Sequence, residues 1–219
     1  MTGKATGIAL FDLDNTLIDR DRGFLEWAVC FARDRGLGND DVDWLVLTDD
    51  DGHVSRPEFF SAVRTRFDLP DPVDALVDAY RVEAPTFYRP DPALLEALAA
   101  LRRAGWRSAI VTNGPATQED KIRAAGLHAV VDGWCCSGVV GAAKPDRTIF
   151  EAAADRCRSP LSGWMVGDNA ENDIFGGRDA GLRTIWMARN RVWDTTDYEP
   201  DHVVERVVDA VDHILTADA

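Results

Sequence analysis

Short apolar runs alternate with amphipathic stretches along most of this 219-residue chain. The stretch 91–104 has leucines at helical spacing, and three of the stretches, 91–104, 117–125 and 172–180, end just before a glycine. Alternation of this kind predicts a parallel β-sheet that is covered by helices on both faces. The predicted strands are residues 7–11, 107–113, 129–131, 163–167 and 183–187. The predicted helices between and after them are residues 91–104, 117–125, 146–157, 172–180 and 203–215.

One long segment, residues 17–88, departs from this alternation because its pattern is helical throughout. We therefore predict an α/β fold with a doubly wound, parallel-sheet, Rossmann-like core formed by residues 1–18 and 89–219. An α-helical cap domain, residues 19–88, is predicted to be inserted into this core. Because open parallel sheets bind ligands at the carboxyl ends of their strands, we expect the functional residues there.

The chain is strongly acidic, with a formal net charge of -14. It would repel a nucleic-acid backbone, and no run of lysine and arginine supplies a local basic patch. No stretch approaches the roughly 18 apolar residues of a membrane span, and the first residues do not resemble a signal peptide. We expect a soluble cytoplasmic protein, monomeric or homodimeric, with no nucleic-acid or membrane partner.

The chain has four cysteines, and none of them forms a CxxC pair. This spacing gives no support to a zinc ribbon or a thioredoxin-like redox site. Cys135 and Cys136 are adjacent and are predicted to be packing residues of a strand. Reduced thiols of this kind fit a cytosolic protein.

Asp12 and Asp14 directly follow the first predicted strand. Side chains two residues apart in an extended segment point to the same side, so both carboxylates should project together. The pair could be a nucleophile with a general acid, or it could hold a hard metal ion. An isolated Asp-x-Asp pattern is more typical of a solvated turn, and the position after an apolar strand is what favours a function.

Two further pieces could bind a phosphoryl group. Thr112, Asn113 and Gly114 end the second predicted strand, where a hydroxyl and the backbone amides of a glycine-containing turn can hold phosphate oxygens. Lys144 precedes a helix and follows small apolar residues, so it could be partly buried and neutralise a phosphoryl oxygen or the carboxylates. Taken singly, the first piece is more typical of a capped turn and the second of a solvated lysine.

Residues 167–173 follow the fourth predicted strand and are rich in acidic and amide side chains. Asp168 could complete a set of oxygen ligands for Mg²⁺ together with Asp12 and Asp14. Helix capping is the simpler interpretation of this stretch when it is taken alone.

The four pieces occur in an order, and at strand ends, that resemble the four motifs of the haloacid dehalogenase (HAD) superfamily. Residues 12–16, Asp-Leu-Asp-Asn-Thr, are similar to its first motif, and residues 112–114, Thr-Asn-Gly, to its second. The third is Lys144 with Pro145, and the fourth is Gly167-Asp168 with Asp173. The resemblance covers nearly the whole chain, and the helical insertion after the first motif is similar to the commonest cap arrangement of this superfamily.

The resemblance implies a phosphatase mechanism with residues in stated roles. Asp12 would attack phosphorus and form an aspartyl-phosphate, and Asp14 would protonate the leaving oxygen and then help to activate water. Mg²⁺ would be held by Asp12, by the backbone carbonyl of Asp14, and by Asp168. Asp173 would support the metal ligands or orient Lys144.

The same resemblance implies that Thr112 and Lys144 are catalytic residues that bind the phosphoryl oxygens. Asn113 and Gly114 are expected to complete the substrate-binding turn. Together these groups would supply positioning and charge neutralisation, which account for most of the catalysis of phosphoryl transfer.

Asp14 favours a phosphatase over a dehalogenase, since a halide leaves without a proton whereas an alkoxide leaving group needs an acid. A Schiff-base phosphonatase is disfavoured because residues 17–88 contain no lysine. The expected substrate is a small phosphorylated metabolite, selected by the cap. The alternatives are a catalytically silent binding or regulatory protein on the same fold, a phospho-receiver switch or, less favoured still, a dehalogenase.

Overall fold

The computed structural model describes residues 7–217. These residues form two compact units, one made of the residues up to Ile18 together with those from Pro90 onward, and the other of Asp19–Arg89. The first unit contains the sheet, and the second is helical.

The sheet has six parallel strands in the order β3-β2-β1-β4-β5-β6. This order reverses between β1 and β4, which places the expected ligand crevice of a doubly wound sheet beside those two strands. The predicted α/β fold with a Rossmann-like parallel sheet is therefore confirmed. The strands are β1 (Ile8–Phe11), β2 (Arg107–Thr112), β3 (Gly133–Cys136), β4 (Gly163–Gly167), β5 (Arg183–Met187) and β6 (His202–Val204).

The helical unit contains α1 (Arg20–Asp34), α2 (Asn39–Asp49), α3 (Arg56–Phe67) and α4 (Val73–Glu83). Its hydrophobic core includes Trp27, Phe59 and Phe60, so these three aromatic side chains stabilise the unit. The acidic run that begins at Asp49 is exposed except at its first residue, which is buried and lies 2.5 Å from both Arg20 and Arg56. Two cations from distant parts of the chain therefore compensate a buried carboxylate.

The helices of the sheet unit are α5 (Pro92–Arg103), α6 (Gln118–Ala124), α7 (Ser137–Val140), α8 (Arg147–Arg156), α9 (Gly176–Asp179) and α10 (Val207–Ala217). Apolar side chains of α8 pack with those of β1, β2 and β4 in one hydrophobic cluster. Asp91 and Asp146 accept hydrogen bonds from backbone amides at the starts of α5 and α8, so each caps its helix. None of the helices between residues 7 and 217 is both long enough and apolar enough to cross a membrane.

Two predictions about the sheet were wrong. Residues 129–131 are not a strand: the first of them ends a single 3₁₀ turn, Leu127–Ala129, and the third strand is Gly133–Cys136. The predicted helix 203–215 begins later, because His202–Val204 forms the sixth strand. Both errors involve apolar runs of three residues, whose periodicity does not distinguish a strand from a helical turn.

Three of the four cysteines are buried in the sheet unit: Cys135, Cys136 and Cys157. The first two lie in β3, as predicted. Burial raises the pKa of Cys136 and of Cys157 to about 11, so both remain protonated thiols at neutral pH. The fourth, Cys30, is partly exposed on α1.

Candidate active site

Asp12 lies immediately after β1, at the centre of the sheet. Its backbone N–H donates to the carbonyl oxygen of Val166 at 2.9 Å, which fixes the chain where β1 meets β4. The Asp12 side chain is buried at the carboxyl end of these strands. The strand therefore delivers a carboxylate to the edge of the sheet where ligands are expected.

Lys144 joins Asp12 to Asp173. Its ammonium Nζ lies 2.6 Å from Oδ1 of Asp12 and 2.7 Å from Oδ1 of Asp173, and its side chain is only 2% exposed. A buried cation needs compensating charge, and here two carboxylates provide it. Residues of the first, third and fourth motifs thus meet at one ammonium group.

Asp173 is held by both of its oxygens. Oδ1 binds Lys144, and Oδ2 accepts the backbone N–H of Asn169 at 3.0 Å. Gly167 makes room for this carboxylate, because a Cβ at that position would overlap the Asp173 side chain. The glycine of the fourth motif is therefore required by close packing rather than by a special backbone conformation.

Asp168 lies with Asp12 and Asp173 in an acidic cluster in which one carboxylate oxygen from each residue lies within 4.8 Å of the others. On its other side, Oδ2 of Asp168 is 3.0 Å from Nη1 of Arg189 and 3.1 Å from Nη2 of Arg191. The Asp14 side chain is not part of this cluster. Its predicted contribution to metal binding through the backbone carbonyl stays a prediction.

The charges in this cluster shift the protonation of its members. Burial raises the pKa of Asp12 to about 8; the Lys144 ammonium opposes the rise and Asp173 adds to it. Burial alone would lower the pKa of Lys144, but the two carboxylates beside it raise the pKa above its ordinary value. Burial and Asp173 also raise the pKa of Asp168, against the effect of its two arginines. Burial is the main cause of the rise at both aspartates, so the surroundings of the cluster disfavour their charged forms.

Asp14 is bound by side chains of α6. Lys121 Nζ lies 2.7 Å from Oδ1 and 3.0 Å from Oδ2 of Asp14, and Gln118 Nε2 donates to Oδ2 at 2.7 Å. Gln118 also donates to the hydroxyl of Thr112 at 2.9 Å, within the buried end of β2. The first and second motifs are therefore joined through one glutamine.

The turn after β2 is tied to the lysine of the third motif. Asn113 exchanges two hydrogen bonds with the backbone of Lys144: its Nδ2 donates to the carbonyl at 2.9 Å, and its Oδ1 accepts the N–H at 2.8 Å. The N–H of Gly114 donates to the Ser137 hydroxyl at 2.9 Å. Asn113 thus positions Lys144 from the backbone, in addition to any role in binding a substrate.

All eight predicted site residues lie in the sheet unit, at the carboxyl ends of β1, β2 and β4 or at the start of α8. Further polar side chains, which the sequence patterns did not single out, bind them; these include Gln118, Lys121, Ser137, Trp186, Arg189 and Arg191. Gln118 and Lys121 are three residues apart on a helix that follows a candidate phosphate turn. That spacing was the available signal, because it places both side chains on one face.

The chain has relatives of described function. The family model of haloacid dehalogenase-like hydrolases matches residues 7–181. A phosphoserine phosphatase of Thermus thermophilus is 38% identical over 108 residues, which cover 48% of this chain and 43% of that protein. A phosphoglycolate phosphatase of Agrobacterium fabrum is 30% identical over 214 residues, covering 90% of this chain and 88% of that protein.

The fold also matches solved structures. The HAD-hydrolase YfnB from Bacillus subtilis, in a crystal structure bound to magnesium, has a TM-score of 0.75. The match covers 97% of this chain and 100% of that chain at 23% identity, which shows the common fold. The chain covers less than half the length of two of the curated matches: 43% of the Thermus thermophilus phosphatase and 44% of the pyrimidine 5'-nucleotidase YjjG of Escherichia coli, to which it is 39% identical over 101 residues.

Proposed function

This chain belongs to the haloacid dehalogenase-like hydrolase family, and we propose that within it the chain is a Mg²⁺-dependent phosphomonoesterase that acts through an aspartyl-phosphate. The family membership inferred from the four motifs is confirmed by the match over residues 7–181 and by relatives that are phosphatases. The metal, the covalent intermediate and the roles of the individual residues are proposals.

The observation that carries the proposal is the contact of Lys144 with Asp12. A nucleophilic carboxylate must approach a phosphoryl group that is itself negatively charged, so the site needs a fixed positive charge beside the nucleophile. Lys144 supplies this charge from a buried position, where Asn113 and Asp173 hold it. Its ammonium is thereby placed to bind a phosphoryl oxygen next to the attacking atom.

The residues present fit a magnesium ion. Mg²⁺ takes oxygen ligands, usually one or two protein carboxylates together with water and substrate phosphate. Asp12, Asp168 and Asp173 bring three carboxylates within 4.8 Å of one another. Burial raises the pKa of Asp12, and a cation bound beside it would stabilise the charged carboxylate. Asp12 and Asp168 are proposed as side-chain ligands. When bound, Mg²⁺ would neutralise charge that develops on the phosphoryl oxygens.

The proposed reaction has two steps. In the first, a carboxylate oxygen of Asp12 forms a bond to phosphorus as the bond to the ester oxygen breaks, and Asp14 gives its proton to the departing alkoxide. In the second, water attacks phosphorus and loses a proton to Asp14, and the bond between Asp12 and phosphorus breaks. Inorganic phosphate leaves, and both aspartates return to their starting states.

Throughout both steps, the hydroxyl of Thr112, the turn at Asn113 and Gly114, and Lys144 are proposed to hold the phosphoryl oxygens. The Thr112 hydroxyl already accepts a hydrogen bond from Gln118, which leaves its own proton to donate to a phosphoryl oxygen. These contacts orient the phosphorus for attack by Asp12.

Asp14 is the residue that favours ester hydrolysis over dehalogenation. An alkoxide leaving group needs a proton and a halide does not, and the structure gives Asp14 two dedicated hydrogen-bonding partners. The substrate is proposed to be a small phosphorylated metabolite. Phosphoglycolate and phosphoserine are the first compounds to test, since relatives are phosphatases of these two. The helical unit Asp19–Arg89 is proposed as the cap that selects among such compounds.

Phosphate release from a panel of phosphomonoesters, with Mg²⁺ and with a chelator, tests this function. We expect Mg²⁺-dependent release, and we expect Asp12→Asn to lower kcat by at least about three orders of magnitude. Asp155→Asn, on the exposed side of α8, is the matched control and should keep full activity. Equal turnover by the parent protein and Asp12→Asn would contradict the mechanism. Tight binding of a phosphoester without turnover would favour the catalytically silent alternative.

A further inference from the structure

Gln118 and Lys121 form a clamp on the Asp14 carboxylate. They are three residues apart on α6, so they lie on the same face of the helix. Lys121 donates to both oxygens of Asp14, at 2.7 and 3.0 Å, and Gln118 donates to Oδ2 at 2.7 Å. The carboxylate is therefore bound at both of its oxygens from one side.

The turn after β2 is built to admit this clamp. A Cβ at Gly114 would lie 2.8 Å from Cγ of Gln118, which is closer than real side chains approach. The second amide proton of Gln118 binds the Thr112 hydroxyl, and the residue is buried. The amide of Gln118 is thus held between Asp14 and Thr112, and its side chain packs against Gly114.

Asp14 needs such support because of where it lies. It follows β1 by three residues, in a turn, and its side chain is 28% exposed. A carboxyl group in this position is free to rotate unless it is held, and proton transfer to a leaving oxygen requires a defined distance and direction. The backbone alone fixes Asp12 through β1, but it does not fix the Asp14 carboxyl.

We propose that Gln118 and Lys121 are positioning residues that hold the Asp14 carboxyl group in place for proton transfer to the leaving oxygen. This inference rests on the proposed function, since it assigns a role in the same reaction. Neither residue belongs to the four motifs. The hydrogen bonds that Lys121 contributes to the clamp end on Asp14, so the role assigned to Lys121 is in leaving-group protonation. Gln118 also binds Thr112, a proposed ligand of the phosphoryl oxygens, so Lys121 is the half of the clamp that isolates this role.

The leaving group is the variable that isolates this role. An alkyl phosphate releases a strongly basic alkoxide that must be protonated, whereas p-nitrophenyl phosphate releases a weakly basic phenolate that departs without an acid. A defect in the orientation of Asp14 should therefore slow an alkyl phosphate much more than p-nitrophenyl phosphate. A general loss of structure or of phosphate binding would slow both to a similar extent.

The experiment measures kcat and KM of the full chain for phosphoglycolate and for p-nitrophenyl phosphate, with Mg²⁺. The variants are Lys121→Met, which removes the two contacts of the lysine with Asp14, and Lys121→Arg, which keeps a cation with several donors. Arg123→Met is the matched control: it removes one positive charge from the same helix, where Arg123 pairs with Glu119 at an exposed position. Asp14→Asn is the reference for complete loss of the acid.

We expect Lys121→Met to lower kcat for phosphoglycolate by about 10- to 100-fold, part of the roughly 10²- to 10⁴-fold that a general acid contributes. Its KM should be unchanged, and kcat for p-nitrophenyl phosphate should fall by less than about threefold. Lys121→Arg should recover most of the loss, and Arg123→Met should match the parent protein. Lys121→Ala should show the same selectivity for the alkyl substrate, and it replaces Lys121→Met if that variant does not fold.

Equal losses on both substrates, or a Lys121→Met variant as active as Arg123→Met, would overturn the inference. If Asp14→Asn still discriminates between the substrates in that case, the proposed function stands and only the clamp is wrong. If the parent protein releases phosphate from neither compound nor from a wider ester panel, the proposed function itself fails and the inference fails with it.

Discussion

Replacement of Lys144 by methionine should destabilise the metal-free protein strongly. The ammonium group is buried and contacts Asp12 and Asp173 at 2.6 and 2.7 Å. Methionine preserves most of the apolar stem but leaves these carboxyl groups without their shared cation. The acidic cluster that remains has carboxylate oxygens within 4.8 Å of one another. The loss should therefore be that of a broken buried ion pair rather than that of a surface contact.

The size of this loss of stability follows from the distances between Lys144 and its two carboxylate partners. At 2.7 Å, the ammonium of Lys144 and the carboxylate of Asp173 attract by roughly 6 kcal/mol at an effective dielectric constant of about 20, before the cost of burying them is subtracted. Removal of one partner from a buried pair typically costs about 3–5 kcal/mol. We therefore expect Lys144→Met to lower the free energy of unfolding by about 3–5 kcal/mol near pH 7. Added Mg²⁺ should reduce this loss of stability, because the cation would neutralise the same carboxylates.

The loss of stability caused by Lys144→Met should also depend on pH. In the parent protein burial raises the pKa of Asp12 to about 8, and Lys144 opposes the rise, so loss of Lys144 moves this pKa higher still. A raised folded-state pKa means that the folded state binds more protons than the unfolded state, and stability then falls as pH rises toward that pKa. The free energy of unfolding of the parent protein should level off above about pH 8, whereas that of Lys144→Met should continue to fall. The difference between the two proteins therefore grows above about pH 8.

Urea unfolding in the presence of a chelator, at a series of pH values, measures both the size of this loss of stability and its dependence on pH. Arg147→Met is the control variant: it removes a cation three residues away that pairs with Glu151 at the exposed surface, where ion pairs contribute little. A Lys144→Met deficit no larger than that of the control, and independent of pH, would refute the account of the cluster.

Three other outcomes are expected. Because the pKa of Asp12 is raised to about 8 in the metal-free protein, Mg²⁺ binding near pH 7 should release a proton, and the apparent affinity for Mg²⁺ should rise toward pH 8. A binding enthalpy that does not change with the ionisation enthalpy of the buffer would contradict this. Native protein should show one reactive thiol toward a disulfide reagent, and Cys30→Ser none, since the other three thiols are buried; rapid reaction of a second thiol would be inconsistent with the fold. Asp49→Asn should lower the free energy of unfolding by about 3–5 kcal/mol, because it breaks the buried ion pairs with Arg20 and Arg56. The control Asp50→Asn changes an exposed residue and should leave the free energy of unfolding unchanged. Equal losses of stability for the two variants in urea titrations would count against the buried pairs.

The parts of the fold that the sequence predicted correctly are those set by local pattern. The apolar runs of β1, β2, β4 and β5 are long enough to indicate buried strands, and parallel pairing then brings their carboxyl ends together. This explains why Asp12, Thr112 and Asp168, which end or directly follow three of these strands, could be placed at one edge of the sheet. The proximity of Lys144 and Asp173 to Asp12 was implied by the resemblance to the HAD motifs. The third and sixth strands are short, and their sequence pattern fits a helical turn equally well.

The partners of the site residues depend on tertiary packing and were not predicted. The rotation of α6 about its axis decides whether Lys121 reaches Asp14 or solvent, and that rotation is set by contacts such as the one between Gln118 and Gly114. Asp49 illustrates the same limit in the helical unit. It begins an acidic run that is typical of a solvated loop, yet two arginines from α1 and α3 bury it.

Chemical trapping of the covalent intermediate tests the central claim most directly. Borohydride reduces an acyl phosphate but not a free carboxylate, so a protein quenched during turnover with Mg²⁺ and a phosphoester should carry homoserine in place of the phosphorylated aspartate. Peptide mass spectrometry should find homoserine at position 12, dependent on substrate and absent from Asp12→Asn. Turnover with no homoserine at position 12, or with homoserine at another aspartate, would contradict the assignment of Asp12 as the nucleophile.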